Sequence, residues 1–323
     1  MPRTVVLSYF DSAMLPRLLA EARRAGLPGK TSVYVGSYGV GATLASQIAK
    51  AGCRYAPMFH LAPGWYWERR RVSNQDAKKL LAVSPTTDRL AGPLPDLPEL
   101  LSLPPDKRLN WGIELGRRFR DELRAAAKAG VQFSCWQLDE IQAEAAGPQG
   151  RQYRDLTRGT LRGLVFGRPS LGDRAQQGFV WWAHSALTLA RARLTPELTA
   201  FWRILNRAAL GLVGEEYPAF SGDPNAAARA NAVGQRGLEA GGPVRQALGR
   251  KYLAGLTPGY RPLPGLRGNV HGWPRDRVHA WCQAYDNARA AAGVAGFAEF
   301  DFRFENSQLW VMRDVLGELA QVV

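Results

Sequence analysis

The stretch Val131-Gln-Phe-Ser-Cys-Trp-Gln-Leu-Asp139-Glu140 decides how the rest of the chain is read. Its β-branched and aromatic residues predict a short apolar strand over 132–138 that runs into two consecutive carboxylates and then a loop. Before it stands Lys128-Ala-Gly130, a helix ending on a glycine that can adopt the left-handed conformation. The same joint recurs at Arg24-Ala-Gly26 before Ser32-Val-Tyr-Val35, at Lys50-Ala-Gly52 before Tyr55-Ala-Pro-Met-Phe59, and at Ala292-Gly293 before 297–304. On a parallel α/β scaffold ligands bind at the carboxyl ends of the strands, so carboxylates at that end point to function.

Working outward, strand-like runs fall at 4–10, 31–37, 54–60, 132–138, 178–184, 210–214, 251–256 and 296–304, each followed by room for a helix. Between them apolar residues recur at three- and four-residue steps, as in Leu115, Phe119, Leu123, Ala126 and in Leu309, Met312, Val315, Leu319. Eight βα units predict the α/β class and a single (β/α)8 TIM barrel over residues 1–323, with a doubly wound open sheet as the alternative. Gly36-Ser-Tyr38-Gly39-Val-Gly41 fits neither GxGxxG nor GxxxxGK[ST] and reads as a plain βα turn. The connections 61–110 and 141–177, after the third and fourth strands, read as long loops over the C-terminal mouth, and loops of that length are usually functional.

Composition narrows the class. With 46% hydrophobic and 22% charged residues in 323, the chain is an ordinary globular one with no run of eighteen apolar residues to span a membrane. The N-terminus enters a strand at Thr4, which leaves no room for a secretory leader; the expected location is the cytoplasm, or outside the cell if a leader was trimmed. Cys53, Cys135 and Cys282 have no metal-binding spacing and read as buried thiols. The net charge of +14 invites a polyanion partner. However, only 7 of the 42 basic residues are Lys and the arginines are scattered apart from short runs such as Arg69-Arg-Arg71 and Arg117-Arg118, so a solvated basic surface is the reading and nucleic acid is not expected.

Candidate chemistry gathers at the strand ends. In the last strand Ala298, Phe300, Phe302 and Phe304 share one face and suit the helix layer, which leaves Glu299, Asp301, Arg303 and Glu305 for the interior, as a site or as an internal ion-pair network. At the other ends stand Asp11, His60, Asp139 with Glu140, His184, and Glu215-Glu216-Tyr217. Asp11 or Asp139 could instead cap a helix, and the histidines could be hydrogen-bonded rim residues. Several carboxylates converging on one mouth are what proton transfer and charge stabilisation require. Aromatic residues at Trp65, Tyr66, Trp67, Trp136, Trp181, Trp182, Tyr217, Tyr260 and Trp273 favour a sugar, although core filling accounts for Trp136 and one of Trp181 and Trp182.

Through Gln137-Leu-Asp139-Glu140 and Gly214-Glu-Glu-Tyr217 the chain resembles the (β/α)8 glycoside hydrolases, including endo-α-1,4-polygalactosaminidase-like barrels, in which a strand-four Asp is paired with a carboxylate after a later strand. It departs from the arrangement with glutamates on strands four and seven, because Thr257-Pro-Gly-Tyr260 follows strand seven, and it lacks the DxxDxDxE signature of chitinase-like barrels. The resemblance implies cleavage of an oligo- or polysaccharide without a cofactor or metal. Asp139 would be nucleophile or charge stabiliser and Glu216 the general acid/base, with Glu140, Glu215 and Asp301 as substitutes in those roles. Asp11, Tyr38, His60, Trp65, Trp67, Gln137, His184, Tyr217, Tyr260 and Arg303 are the expected substrate contacts. Two alternatives stay open: a metal-dependent barrel hydrolase or isomerase with His60, Asp139, His184, Glu216 and Asp301 as ligands, and a non-catalytic carbohydrate-binding barrel.

Overall fold

The glycine joints set the direction of the chain. Gly26, Gly52 and Gly130 have φ of 75°, 77° and 83°, a region costly for any side chain bearing a Cβ. The structure, a computed structural model, describes residues 4–8, 14–36, 38–61, 95–141, 148–165, 177–182, 195–214, 252–256, 274–276, 279–280, 283, 297–300 and 309–322. The joint at Gly293 lies outside them.

The strands are β1 (Thr4–Ser8), β2 (Ser32–Gly36), β3 (Arg54–Tyr55), β4 (Met58–His60), β5 (Trp136–Ile141), β6 (Gly178–Trp182), β7 (Ala209–Gly214), β8 (Tyr252–Leu256) and β9 (Phe297–Phe300). All pair in parallel, in the order β3-β2-β1-β9-β8-β7-β6-β5-β4. β3 and β4 are halves of one strand interrupted at Ala56-Pro57, where proline cannot donate to a ladder. The break stays bonded on both sides: Ala56 N donates to Val35 O at 2.9 Å, and Gln137 N to Pro57 O at 2.8 Å. The two ends of the sheet are therefore one strand, and eight barrel strands close on themselves.

Around them lie α1 (Leu15–Arg24), α2 (Leu27–Lys30), α3 (Ala42–Lys50), α4 (Leu97–Ser102), α5 (Pro105–Lys128), α6 (Pro148–Val165), α7 (Pro196–Ala208) and α8 (Leu309–Val322). α7 starts on a Thr195 cap whose hydroxyl accepts from Leu198 N at 3.2 Å. Leu115, Phe119 and Leu123 are fully buried, as their spacing predicts, and Phe119 stacks on Phe59 of β4 with ring centroids 4.5 Å apart. The last helix returns to the first two: Arg313 of α8 forks onto Glu21 of α1 at 3.1 and 3.2 Å, and Lys30 of α2 donates to Ala320 O.

Alternation along each strand produces two cores. Val6, Ala56, Met58, Phe179, Trp181 and Val213 fill the barrel interior. Their neighbours Val5, Leu7 and Val35 pack outward under α1, α3 and α8, and Phe59, Leu138 and Leu212 under α5 to α7. Burying each large apolar side chain contributes about 1.5–3 kcal/mol, so both faces add to the stability of the sheet. α5 and α6 meet through glycine on both sides. A Cβ at Gly112, Gly116, Gly159 or Gly163 would stand 2.0–2.6 Å from a backbone oxygen of the facing helix. This seam clamps the two helices that flank β5.

Three expectations need correction. The fourth strand is Trp136–Ile141 rather than 132–138, so Asp139 lies within a strand and caps no helix. Val131 to Ser134 have the propensity for a strand, but apart from Ser134 N donating to Tyr55 O the pairing with the third strand begins further on, where Met58 to His60 align with Gln137 to Asp139. The supposed loops contain helix: α4 and the start of α5 fall within 61–110, and α6 within 141–177. Glycines that disfavour helix in isolation are there because the helices touch. In β9 the register sets positions 298 and 300 beside Val6 and Ser8, and 299 beside Leu7; the charged positions expected after it, 301 to 305, lie outside the described residues.

Cys53 and Cys135 are buried as expected, while Cys282 lies outside the described residues. Burial pushes the Cys53 thiol up to about 11, against a weaker opposing effect of Arg23, and raises Cys135 further. In a Cys282→Ser background both should resist a thiol-directed disulfide reagent at neutral pH and react on denaturation. Because folding favours the protonated thiols, stability is retained below the ordinary thiol value of 9.0 and falls as pH rises from there through about 11. A denaturation series across that window checks the sign.

Candidate functional site

β5 sends Trp136 and Leu138 to the helix layer and Gln137 and Asp139 to the interior. Gly178 on the neighbouring strand leaves the space Trp136 needs, because a Cβ there would lie 2.3 Å from the indole. Inside the barrel the two polar side chains form two levels.

The lower level is centred on Gln137. Its Oε1 accepts from Ser8 Oγ at 2.7 Å and from Trp181 Nε1 at 2.8 Å, and its Nε2 donates to Ala56 O at 2.8 Å. The network joins barrel strands one, three, four and five. It requires a glycine on the second, since a Cβ at Gly36 would stand 1.7 Å from Ala56 O and 2.5 Å from Gln137 Nε2. All of this is fully buried, where an amide with its hydrogen bonds made is tolerated and one without them is costly.

The upper level is centred on Asp139, which is fully buried. Tyr38 donates its phenol proton to Asp139 Oδ2. His60, the last residue of β4 and register partner of Asp139, holds Nε2 3.8 Å from the same oxygen, which is ion-pair range rather than a hydrogen bond. The rings of Tyr38 and His60 are 6.0 Å apart. Tyr38 is aimed by the turn that carries it. It bridges Met58, Gly39 N donates to Met58 O at 3.0 Å, and Gly39 has a φ of 88°. Tyr55 pins the same turn by donating to Gly39 O at 3.0 Å and accepting from Gly41 N at 3.1 Å. The Gly39 and Gly41 amides are thus both engaged within the protein.

The fold brings Tyr38, His60, Gln137 and Asp139 together at the carboxyl end of the strands. Glu140 is in β5, whose pairing with β6 shifts register between Leu138 and Ile141. Asp11, Trp65, Trp67, His184, Glu215, Glu216, Tyr217, Tyr260, Asp301 and Arg303 lie outside the described residues. Sequence reading missed Ser8 and Gly36, and it did not separate Trp181 from core filling. The available signal was parity: Ser8 and Val6 share a face, as do Trp181 and Phe179. Among the described residues no group of three or more His, Cys, Asp or Glu is placed to hold a metal ion, and no helix is long and apolar enough to cross a membrane.

Solved structures share this architecture. Fungal β-1,4-galactanases superpose with a TM-score of 0.50 at 12% identity, over 93% of this chain and 90% of theirs. The chain has the fold of the barrel glycoside hydrolases. A GH5-4 broad-specificity endoglucanase from an uncultured bacterium matches equally, with a TM-score of 0.50 at 8% identity over 94% of this chain and 84% of that one. No protein-family model matches the sequence, and no curated protein matches it.

Proposed function

We propose that the protein is a glycoside hydrolase acting on an oligo- or polysaccharide. The observation that carries this reading is a fully buried carboxylate, Asp139, at the carboxyl end of the fourth barrel strand, oriented by a phenol and beside an imidazole. Glycosidic cleavage develops positive charge at the anomeric carbon as the C–O bond to the leaving group breaks. A buried carboxylate held in a fixed orientation meets that charge without reorganising. Asp139 is therefore assigned as nucleophile or charge stabiliser, with Tyr38 holding its orientation. Glu216 is assigned as the acid that protonates the leaving oxygen, and Glu140, Glu215 or Asp301 would take that role if Glu216 does not. The names of the galactanase and endoglucanase that share the fold support a polysaccharide as substrate.

Release of reducing ends from a panel of plant, fungal and bacterial polysaccharides tests the proposal, and failure on every member would sink it. On the best substrate, Tyr38→Phe should lower kcat on the order of tenfold with KM little changed, since one hydrogen bond to a charged group contributes about 1.5–3 kcal/mol and Tyr38 touches the carboxylate rather than the sugar. Activity should survive a chelator. Its loss, with recovery on adding Zn or Mn, would favour the metal-dependent alternative.

A further inference from the structure

A cavity of about 700 Å³ opens at the other end of the barrel, among the residues that begin strands two to six. Its position is set by register: Tyr34 pairs with Arg54, Ser134 N donates to Tyr55 O just before β5, and Leu210 is the second residue of β7. Tyr34 lies within β2, whereas Tyr38 lies in the turn beyond the carboxyl end of that strand. Between the cavity and Asp139 stand the edge-to-face pair of Tyr34 and Phe179, centroids 4.9 Å apart, and the Gln137 network. It is therefore separate from the mouth.

Its walls are uneven in charge. Arg54 lies with its guanidinium carbon 5.5 Å from the Tyr34 ring centre and donates one N–H to the Tyr34 hydroxyl at 3.0 Å. Among the described residues it has no carboxylate partner, and no Asp or Glu lines the cavity. Its remaining N–H donors are available, and a guanidinium held on an aromatic face loses little freedom on binding an anion. Gln132 and Ser134 add neutral hydrogen-bonding groups. Cys53 adds no negative charge at neutral pH, because burial keeps it a thiol. Across from them is Leu210, the one exposed large hydrophobic among the described residues, at 38%.

We infer that this cavity is a second binding site, for a small organic anion whose carboxylate or phosphate meets Arg54 while its apolar or aromatic body covers Leu210. The volume suits such a ligand, within the roughly 300–1,000 Å³ of small-molecule pockets. The site does not depend on the glycosidase reading.

Calorimetric titration of the full chain with phenyl phosphate, benzoate and inorganic phosphate tests it. Phenyl phosphate or benzoate should bind one per chain, more tightly than inorganic phosphate, and the tighter of the two identifies the preferred anion. Arg54→Gln should weaken binding on the order of tenfold or more, as expected when a charge-assisted contact is lost. Leu210→Ser should weaken the two aromatic anions and leave inorganic phosphate unchanged, and Asp139→Asn should change nothing. Equal binding by Arg54→Gln, loss of binding in Asp139→Asn, or no saturable binding up to about 10 mM would overturn the inference.

Discussion

Asp139→Asn should lower turnover of the best glycan substrate by about 10²-fold or more while the protein melts as a folded domain, and Glu216→Gln should do the same. Both replacements keep the shape and remove the charge or the proton. At Asp139 the consequences can be separated. Asn still offers an oxygen to Tyr38, so the hydrogen bond that positions the group has a substitute. The negative charge beside His60 does not. A buried charge is worth more to a developing cation than an exposed one, so the loss should appear in kcat rather than KM. Steady-state rates with thermal melts of both variants decide the matter, and wild-type turnover by either would remove that residue from the mechanism. The anomer first released, read by proton NMR, then tells whether the pair is spaced at about 5 Å for retention or roughly 6.5–9.5 Å for inversion.

The barrel was legible because its signals are local. A glycine closing a helix before an apolar run is a backbone requirement, and Gly26, Gly52 and Gly130 meet it with positive φ. Asp139 and Gln137 were legible for a related reason: polar residues in an otherwise apolar strand need partners, which the interior supplies. What sequence hides is the partner. Ser8 and Gln137 are 129 residues apart, and nothing near Ser8 announces that it will donate across the barrel. Gly36 reads as turn chemistry until the Gln137 amide is seen to need the space of its missing side chain. The same blindness hid α6, whose Gly159 and Gly163 lower helix propensity for a reason visible only on the facing helix.

That seam supports the prediction with the largest expected effect on stability. Gly116→Ala and Gly163→Ala should each destabilise the fold by about 4 kcal/mol or more, although in an exposed helix the same change stabilises by roughly 1 kcal/mol. At Gly116 the added Cβ would lie 2.0 Å from Thr160 O, and at Gly163 it would lie 2.0 Å from Ile113 O. Both obstacles are backbone, so no rotamer change relieves them and the helices must separate by on the order of 1 Å. Separation would also strip close contact from Leu115, Phe119, Leu161 and Leu164, which are fully buried against the outer face of β5. Gly317 of α8 is the internal control, since its Cβ would meet nothing within 4 Å. Gly317→Ala should raise stability by about 0.5–1 kcal/mol. Urea denaturation of the three variants reads the sign directly. If Gly116→Ala and Gly163→Ala matched Gly317→Ala, helix propensity would outweigh packing and the close crossing of α5 and α6 would be wrong. If the two seam variants do not fold, Gly112→Ala at lowered temperature should still give a measurable loss, because its Cβ would lie 2.6 Å from Leu156 O, the least tight approach in the same seam.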